Sequence, residues 1–167
     1  FSNYNGTVTG SVARFNTNGT LDSGFAPTGT GLESDTLALD IQSDGKIIAV
    51  GTFLTYNGVD QLFVARLNTN GSIDNTLVSG YGTGTGPTGV KIQSDGKIVI
   101  AGGSTTTYWN GSAFVNRKGL VRINVNGTLD TAFNNSTGFD LDVDAVDLQS
   151  DGKIIAVGYF NNYNSVS

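Results

Sequence analysis

The side chains able to do chemistry in this sequence are few, and they come in sets. The densest set is acidic: Asp140-Leu141-Asp142-Val143-Asp144, with Asp147 close behind. Three carboxylates at alternate positions of an extended strand share one face and span about 14 Å. Oxygen ligands of that kind suit Ca²⁺, although the run lacks the glycine and the closing glutamate of an EF-hand loop, and extended spacing spreads it widely around a single ion. Asp140, Asp142 and Asp144 are therefore the candidate metal ligands, and Ca²⁺ is the one cofactor they would take. Asp142, Asp144 and Asp147 are also the acids from which a glycosidase pair would be drawn, but no motif marks a general acid or a nucleophile among them.

A second set is aromatic and basic. Tyr108-Trp109-Asn110 and, a few residues on, Arg117-Lys118 lie in the longest departure from an otherwise regular pattern, residues 103–119, which holds the single tryptophan. Tyr, Trp and Arg are enriched at binding hot spots, and a Trp ring offers a sugar a broad contact at low entropy cost. Tyr108, Trp109, Asn110, Arg117 and Lys118 are the candidate binding residues. The competing reading makes Tyr108 or Trp109 a packing residue in the place held elsewhere by Tyr4 and Tyr56.

What is missing narrows the chemistry further. The 167 residues include no histidine and no cysteine, which excludes a Ser-His-Asp triad, a thiol nucleophile, a His or Cys zinc site and a disulfide framework. No catalytic residue is assigned, and the chain is read as non-enzymatic. Nine Lys+Arg against fourteen Asp+Glu leave a net charge of −5, unfavourable for a phosphate backbone, so nucleic acid is not an expected partner. No stretch approaches the ~18 apolar residues of a membrane span, and no signal-peptide pattern opens the chain. Membrane insertion is not expected.

The remaining charges recur. Asn18-Gly19-Thr20-Leu21-Asp22 returns as Asn70 to Asp74 and as Asn126 to Asp130, and Ile41-Gln42-Ser43-Asp44-Gly45-Lys46 returns as Ile92 to Lys97 and as Leu148 to Lys153. Arg14, Arg66 and Arg122 each precede the Asn-Gly pair by the same distance, and Asp44, Asp95 and Asp151 each precede a turn glycine. Residues present in every unit answer to what every unit needs, here turns and strand ends. An ion pair between Arg14 and Asp22, and at the same positions Arg66 with Asp74 and Arg122 with Asp130, requires a bulge or a loop longer than two residues, because a two-residue turn would place the two on opposite faces. A Phe-x-x-Tyr-Asn-Gly block at Phe1 and Phe53 reappears as Phe160 to Ser165, with Tyr108 to Gly111 as its altered copy. Cut there, the units are 1–52, 53–104 and 105–159, and 160–167 opens a fourth. Sequons at Asn5, Asn18, Asn70, Asn110, Asn126, Asn134 and Asn135 mostly coincide with Asn-Gly turns, which explain the asparagines without glycosylation.

Each unit reads as short strands. Leu37 to Gln42 alternates apolar and polar like a half-buried strand, Lys46 to Gly51 is a near-continuous apolar run, Ser11 to Asn16 reads as a third strand, and a short fourth lies within Thr20 to Phe25. Such units of about 50 residues, all-β and unable to bury both faces alone, are propeller blades; a parallel β-helix is the runner-up, weakened by the regular hairpin turns. Arg66 to Asp74 followed by Ile92 to Gly102 resembles the delta-60 repeat, and the resemblance covers essentially the whole chain. It implies a β-propeller of bacterial secreted or surface proteins or of phage-associated proteins, and it transfers no catalytic residue.

Three blades fall short of the four to eight that close a propeller. The missing methionine and the overhang 160–167 predict a segment of a longer parent chain, so the expected partners are further blades of that chain or further copies of this one. The expected role is a structural or recognition module at a cell surface, outside the cell or on a virion, meeting a glycan or protein through its loops. A propeller hydrolase acting on glycans and a ligand-free self-assembling scaffold are the contrasting readings.

Overall fold

The computed structural model describes residues 3–4, 6–25, 29–78, 80, 84–133 and 137–166. Phe1 and the sequon residues Asn5, Asn134 and Asn135 lie outside them. In chain order the described strands are β1 (Asn3–Tyr4), β2 (Thr7–Val8), β3 (Thr36–Ile41), β4 (Ile47–Gly51), β5 (Thr55–Tyr56), β6 (Val59–Asp60), β7 (Val64–Leu67), β8 (Gly89–Ile92), β9 (Ile98–Ala101), β10 (Thr107–Trp109), β11 (Phe114–Asn116), β12 (Leu120–Ile123), β13 (Val143–Leu148) and β14 (Ile154–Gly158). The chain is all-β, and no helix among the described residues is long and apolar enough to cross a membrane.

Two sheets are three-stranded and antiparallel, in the orders β3-β4-β7 and β8-β9-β12. Isolated bridges Leu67↔Ile73 and Ile123↔Leu129 start a fourth strand on the outer edge of each. β13 and β14 repeat the first two strands of such a sheet. The aromatic block folds as a small hairpin, β5-β6 or β10-β11, between the second and third strands of a sheet. Since β4 pairs with β7 and β9 with β12, the hydrogen-bonded sheets straddle residues 52/53 and 104/105.

The hairpin loops explain the turn residues. Gln42 N–H donates to the Lys46 carbonyl and Gly45 N–H to the Gln42 carbonyl, which leaves a three-residue loop with Gly45 at φ 82°, the type I turn plus G1 bulge. Asp44, Asp95 and Asp151 each accept the N–H two residues on, from Lys46, Lys97 and Lys153. The Asn-Gly loops have the same length: Asn16 N–H bonds the Thr20 carbonyl and Gly19 N–H the Asn16 carbonyl.

Gly19 and Gly127 hold equivalent places, at φ 83° and 91°. A Cβ on Gly19 would meet open space, whereas one on Gly127 would collide with the Val78 backbone of the neighbouring segment. Gly19→Ala is expected to cost only left-handed strain, ~1 kcal/mol, and Gly127→Ala a further ~1–3 kcal/mol of overpacking. Urea unfolding of the two variants measures the difference; equal midpoints would refute it.

The first strands converge, β3 beside β8 and β8 beside β13. Three apolar clusters layer the stack: Val12, Phe25, Phe53 and Leu67 with their neighbours where the N-terminal segment packs on β4 and β7, then Ile48, Val50, Ile98 and Ile123 with theirs between the two complete sheets, then Val99, Phe139, Val143 and Val146 with theirs beside β13. Every residue of β4 is buried on both faces. Two sequence expectations fail at the N-terminal end. Leu37, Leu39 and Ile41 should have turned inward but are exposed, because Leu39 stands where Val90 and Val146 are covered by the preceding sheet and no such sheet covers β3. Ser11 to Asn16 is not a ladder strand; it holds one bridge, Phe15↔Leu21, which also reduces the fourth strand to a single pair. A third strand needs a second strand beside it, and none lies there.

Candidate functional site

Alternation along β10 separates the two aromatics that the sequence sets side by side. Tyr108 turns inward and is fully buried in the cluster between the two complete sheets. Its hydroxyl donates to the Gly127 carbonyl at 2.8 Å and accepts the Gly80 N–H at 3.3 Å, as Tyr56 donates to the Gly71 carbonyl in the preceding sheet. Tyr108 thus has the packing role. Trp109 turns outward, 41% exposed, and crosses to Phe114 on β11, its register partner. The two rings meet edge-on with centroids 5.2 Å apart, the geometry that aromatic quadrupoles favour.

Asn110 closes the hairpin by accepting the N–H groups of Ser112 and Ala113 at 2.9 Å. Below Trp109 lies a cavity of about 180 Å³ lined by Val78, Gly80, Trp109, Asn110, Gly111, Gly127 and Thr128. Trp109 and Asn110 therefore belong to one place. Arg117 donates to the Asn116 carbonyl at the far end of the hairpin, and Lys118 lines a different groove, with Phe139, Asp140 and Asn162. Phe114 was missed in the sequence: a two-residue Asn110-Gly111 turn would set Ser112 opposite Trp109, and it is the four-residue loop from Asn110 to Ala113 that brings Phe114 there.

The acidic run does not form a metal centre. β13 begins only at Val143, so Asp140 and Asp142 precede the strand and share no face with Asp144. Asp140 accepts the Nδ2 of Asn162 and the N–H groups of Asn161 and Asn162, and these bonds, the Asn162 side chain foremost, hold its carboxyl below the usual range. Asp142 accepts the Ser104 N–H at 2.8 Å. Asp140 and Asp142 each cap a different stretch of backbone, and among the described residues no group of three His, Cys, Asp or Glu side chains is placed to hold a metal.

The repeated charges assemble in every unit. The three-residue loop puts each Arg directly opposite its Asp, and Arg14–Asp22, Arg66–Asp74 and Arg122–Asp130 all pair at 2.8 Å. In the two complete sheets a lysine from the Asp-Gly hairpin joins, Lys46 to Asp74 at 2.7 Å and Lys97 to Asp130 at 3.1 Å. Two of the three arginines also reach the next repeat: Arg14 donates to the Thr69 carbonyl and Arg66 to the Val125 carbonyl, the same loop position one repeat further on, while Arg122 donates to the Gln93 side chain. Arg14 and Arg122 lie over the rings of Phe25 and Phe133 at 4.8 and 4.6 Å. This set is architecture.

Antiparallel sheets that stack face to face, with their first strands gathered together and an apolar layer between each pair, are blades of a β-propeller. The family described as a domain of unknown function (DUF5122) beta-propeller matches residues 1–25, 42–77, 93–133 and 149–167, and the chain belongs to it. Its last three matched segments start directly after β3, β8 and β13, in the turn of each first hairpin. No curated protein and no solved structure matches the chain.

Proposed function

We propose that this β-propeller domain is a non-enzymatic recognition module, built of delta-60-type repeats, in a larger extracellular, cell-surface or virion assembly, and that it meets a glycan through the β10-β11 hairpin. The observation that carries the reading is the exposed Trp109–Phe114 pair beside a small cavity. In the shorter β5-β6 hairpin Tyr56 pairs with Val59 as Tyr108 pairs with Val115, and the turn residues Asn57 and Gly58 stand in place of the Trp109–Phe114 pair. Rigid aromatics on a fixed hairpin give large contact at low entropy cost, and Asn110 and Thr128 at the cavity supply polar atoms for hydroxyl groups.

The acids support the non-enzymatic part. A glycosidase general acid needs a raised pKa, yet the Leu148 N–H and Lys91 hold Asp147 below the usual carboxylate range. Asp142 is engaged with Ser104.

Glycan-array binding of the unaltered chain and of Trp109→Ala tests the proposal. The expected result is binding by the unaltered chain and a loss of at least about tenfold in the variant, with unchanged thermal unfolding because the ring is at the surface. A chain that captures no glycan, or a variant that binds as well as the original, overturns it.

A further inference from the structure

Six asparagines of this chain precede a glycine, the residue whose missing Cβ leaves its main-chain nitrogen least shielded from the neighbouring side-chain amide. In five of these pairs both residues are described, and the fold treats the glycine nitrogens differently. Gly19, Gly71 and Gly127 donate their N–H groups to the carbonyls of Asn16, Asn68 and Asn124, inside three-residue loops. The Gly58 N–H donates to the Glu33 carboxylate. Of the five, only the Gly111 N–H meets no acceptor among the described residues, and a Cβ built on Gly111 would stand in open space.

The carbon next to that nitrogen is prepared as an electrophile. Asn110 Oδ1 accepts the N–H groups of Ser112 and Ala113, both at 2.9 Å. These donors draw electrons from Cγ, and they point at the oxygen on which negative charge develops when a nucleophile adds there. The Oδ1 atoms of Asn18, Asn70 and Asn126 are held in a similar way by Thr20, Ser72 and Thr128. What sets Asn110 apart is therefore the unengaged nitrogen beside it. Asn110 and Gly111 are also both exposed to water, which the chemistry consumes.

We propose that Asn110-Gly111 is a site of spontaneous covalent modification through a succinimide, and that the native fold directs the reaction to this pair rather than to its four described counterparts. The Gly111 nitrogen adds to Asn110 Cγ, the Cγ–Nδ2 bond breaks, and the proton from Gly111 leaves with Nδ2 as ammonia, closing a five-membered imide. Water then adds to one of the two imide carbonyls and breaks its bond to nitrogen. Opening at Cγ leaves an aspartate at position 110. Opening at the main-chain carbonyl leaves an isoaspartyl link, in which the main chain runs through Cβ and Cγ. Either product carries a new negative charge at neutral pH beside Trp109, and the isoaspartyl link lengthens the loop that sets Trp109 opposite Phe114. No ligand takes part, so the reaction is independent of what the hairpin binds.

Incubation of the unaltered chain in mildly alkaline buffer, followed by peptide mapping with mass spectrometry and an isoaspartyl methyl-acceptor assay, tests the proposal. Conversion at Asn110 is expected to run at least about fivefold faster than at Asn18, Asn57, Asn70 or Asn126, the factor set by the hydrogen bond that each of their glycine nitrogens must first break. In concentrated urea, where the loops are gone, the five rates should converge. Asn110→Gln, whose ring closure needs one more member, should remove the earliest acidic species seen on ion exchange. Equal rates at the five pairs of the folded chain, a faster pair elsewhere, a preference for Asn110 that persists in urea, or an earliest acidic species that survives Asn110→Gln overturns the proposal.

Discussion

Arg66→Ala is expected to lower the stability of the chain by about 3–5 kcal/mol, the cost of breaking a buried ion pair from one side. Side-chain exposure is 6% for both Arg66 and Asp74. The guanidinium donates to Asp74, the Thr76 hydroxyl and the Val125 carbonyl, one bond from each nitrogen. Its loss leaves the buried carboxylate with Lys46 and Thr76 but without its guanidinium, and uncouples two blades. The matching substitution Arg14→Ala should leave the urea midpoint nearly unchanged, since that arginine is 42% exposed and solvent-screened pairs contribute little. Equal shifts in the two variants would refute the argument.

The same site sets an acid limit. Burial by itself pushes the Asp74 carboxyl up, but the Lys46 ammonium, the Thr76 hydroxyl and N–H, and the Arg66 guanidinium outweigh it and hold Asp74 well below the usual carboxylate range. Asp130 is lowered by Lys97, the Ala132 N–H and Arg122 against the same burial. A folded-state value below the unfolded one means stability that is fully present above the ordinary carboxylate pKa of about 4 and lost as the pH falls through it toward the depressed value. Asp74→Asn should therefore flatten the acid limb of the stability profile as well as lowering it at neutral pH.

The parts of this molecule legible in its sequence are those set by turns and repeated charge. Asp-Gly and Asn-Gly loops, the apolar run of β4 and the thrice-repeated Arg and Asp all follow from local chemistry. What escaped depends on one residue of register or on a neighbour. Whether a glycine turn has two or three loop residues is invisible in composition, yet it decides that Arg14 faces Asp22. Asp140 to Asp144 alternates like a strand, but Asn161, Asn162 and Ser104 supply backbone and side-chain donors from elsewhere that draw the first two carboxylates out of it. Leu39 and Ile155 look like core residues and are exposed, because their burial belongs to a face that no other blade of this chain covers. Lys46 opens the apolar run of its strand, and nothing local points to its partner Asp74, 28 positions away.

Consecutive aromatics on β10 should give opposite results. Tyr108→Ala removes a fully buried ring from the layer between two blades, a change worth about 3–5 kcal/mol, and leaves the Gly127 carbonyl and the Gly80 N–H without the hydroxyl that joins them. Tyr108→Phe keeps the ring and loses only that junction, about 1–3 kcal/mol. Trp109→Ala, one residue along, should leave the unfolding transition in place and act on binding alone. Because a strand sends neighbours to opposite faces, the hairpin is anchored by Tyr108 and presents Trp109, so its recognition surface is held by the blade core directly beneath it. Thermal unfolding of the three variants resolves the order Tyr108→Ala, Tyr108→Phe, Trp109→Ala. If Trp109→Ala proves as destabilising as Tyr108→Ala, the outward ring is structural and the division of labour along β10 is refuted.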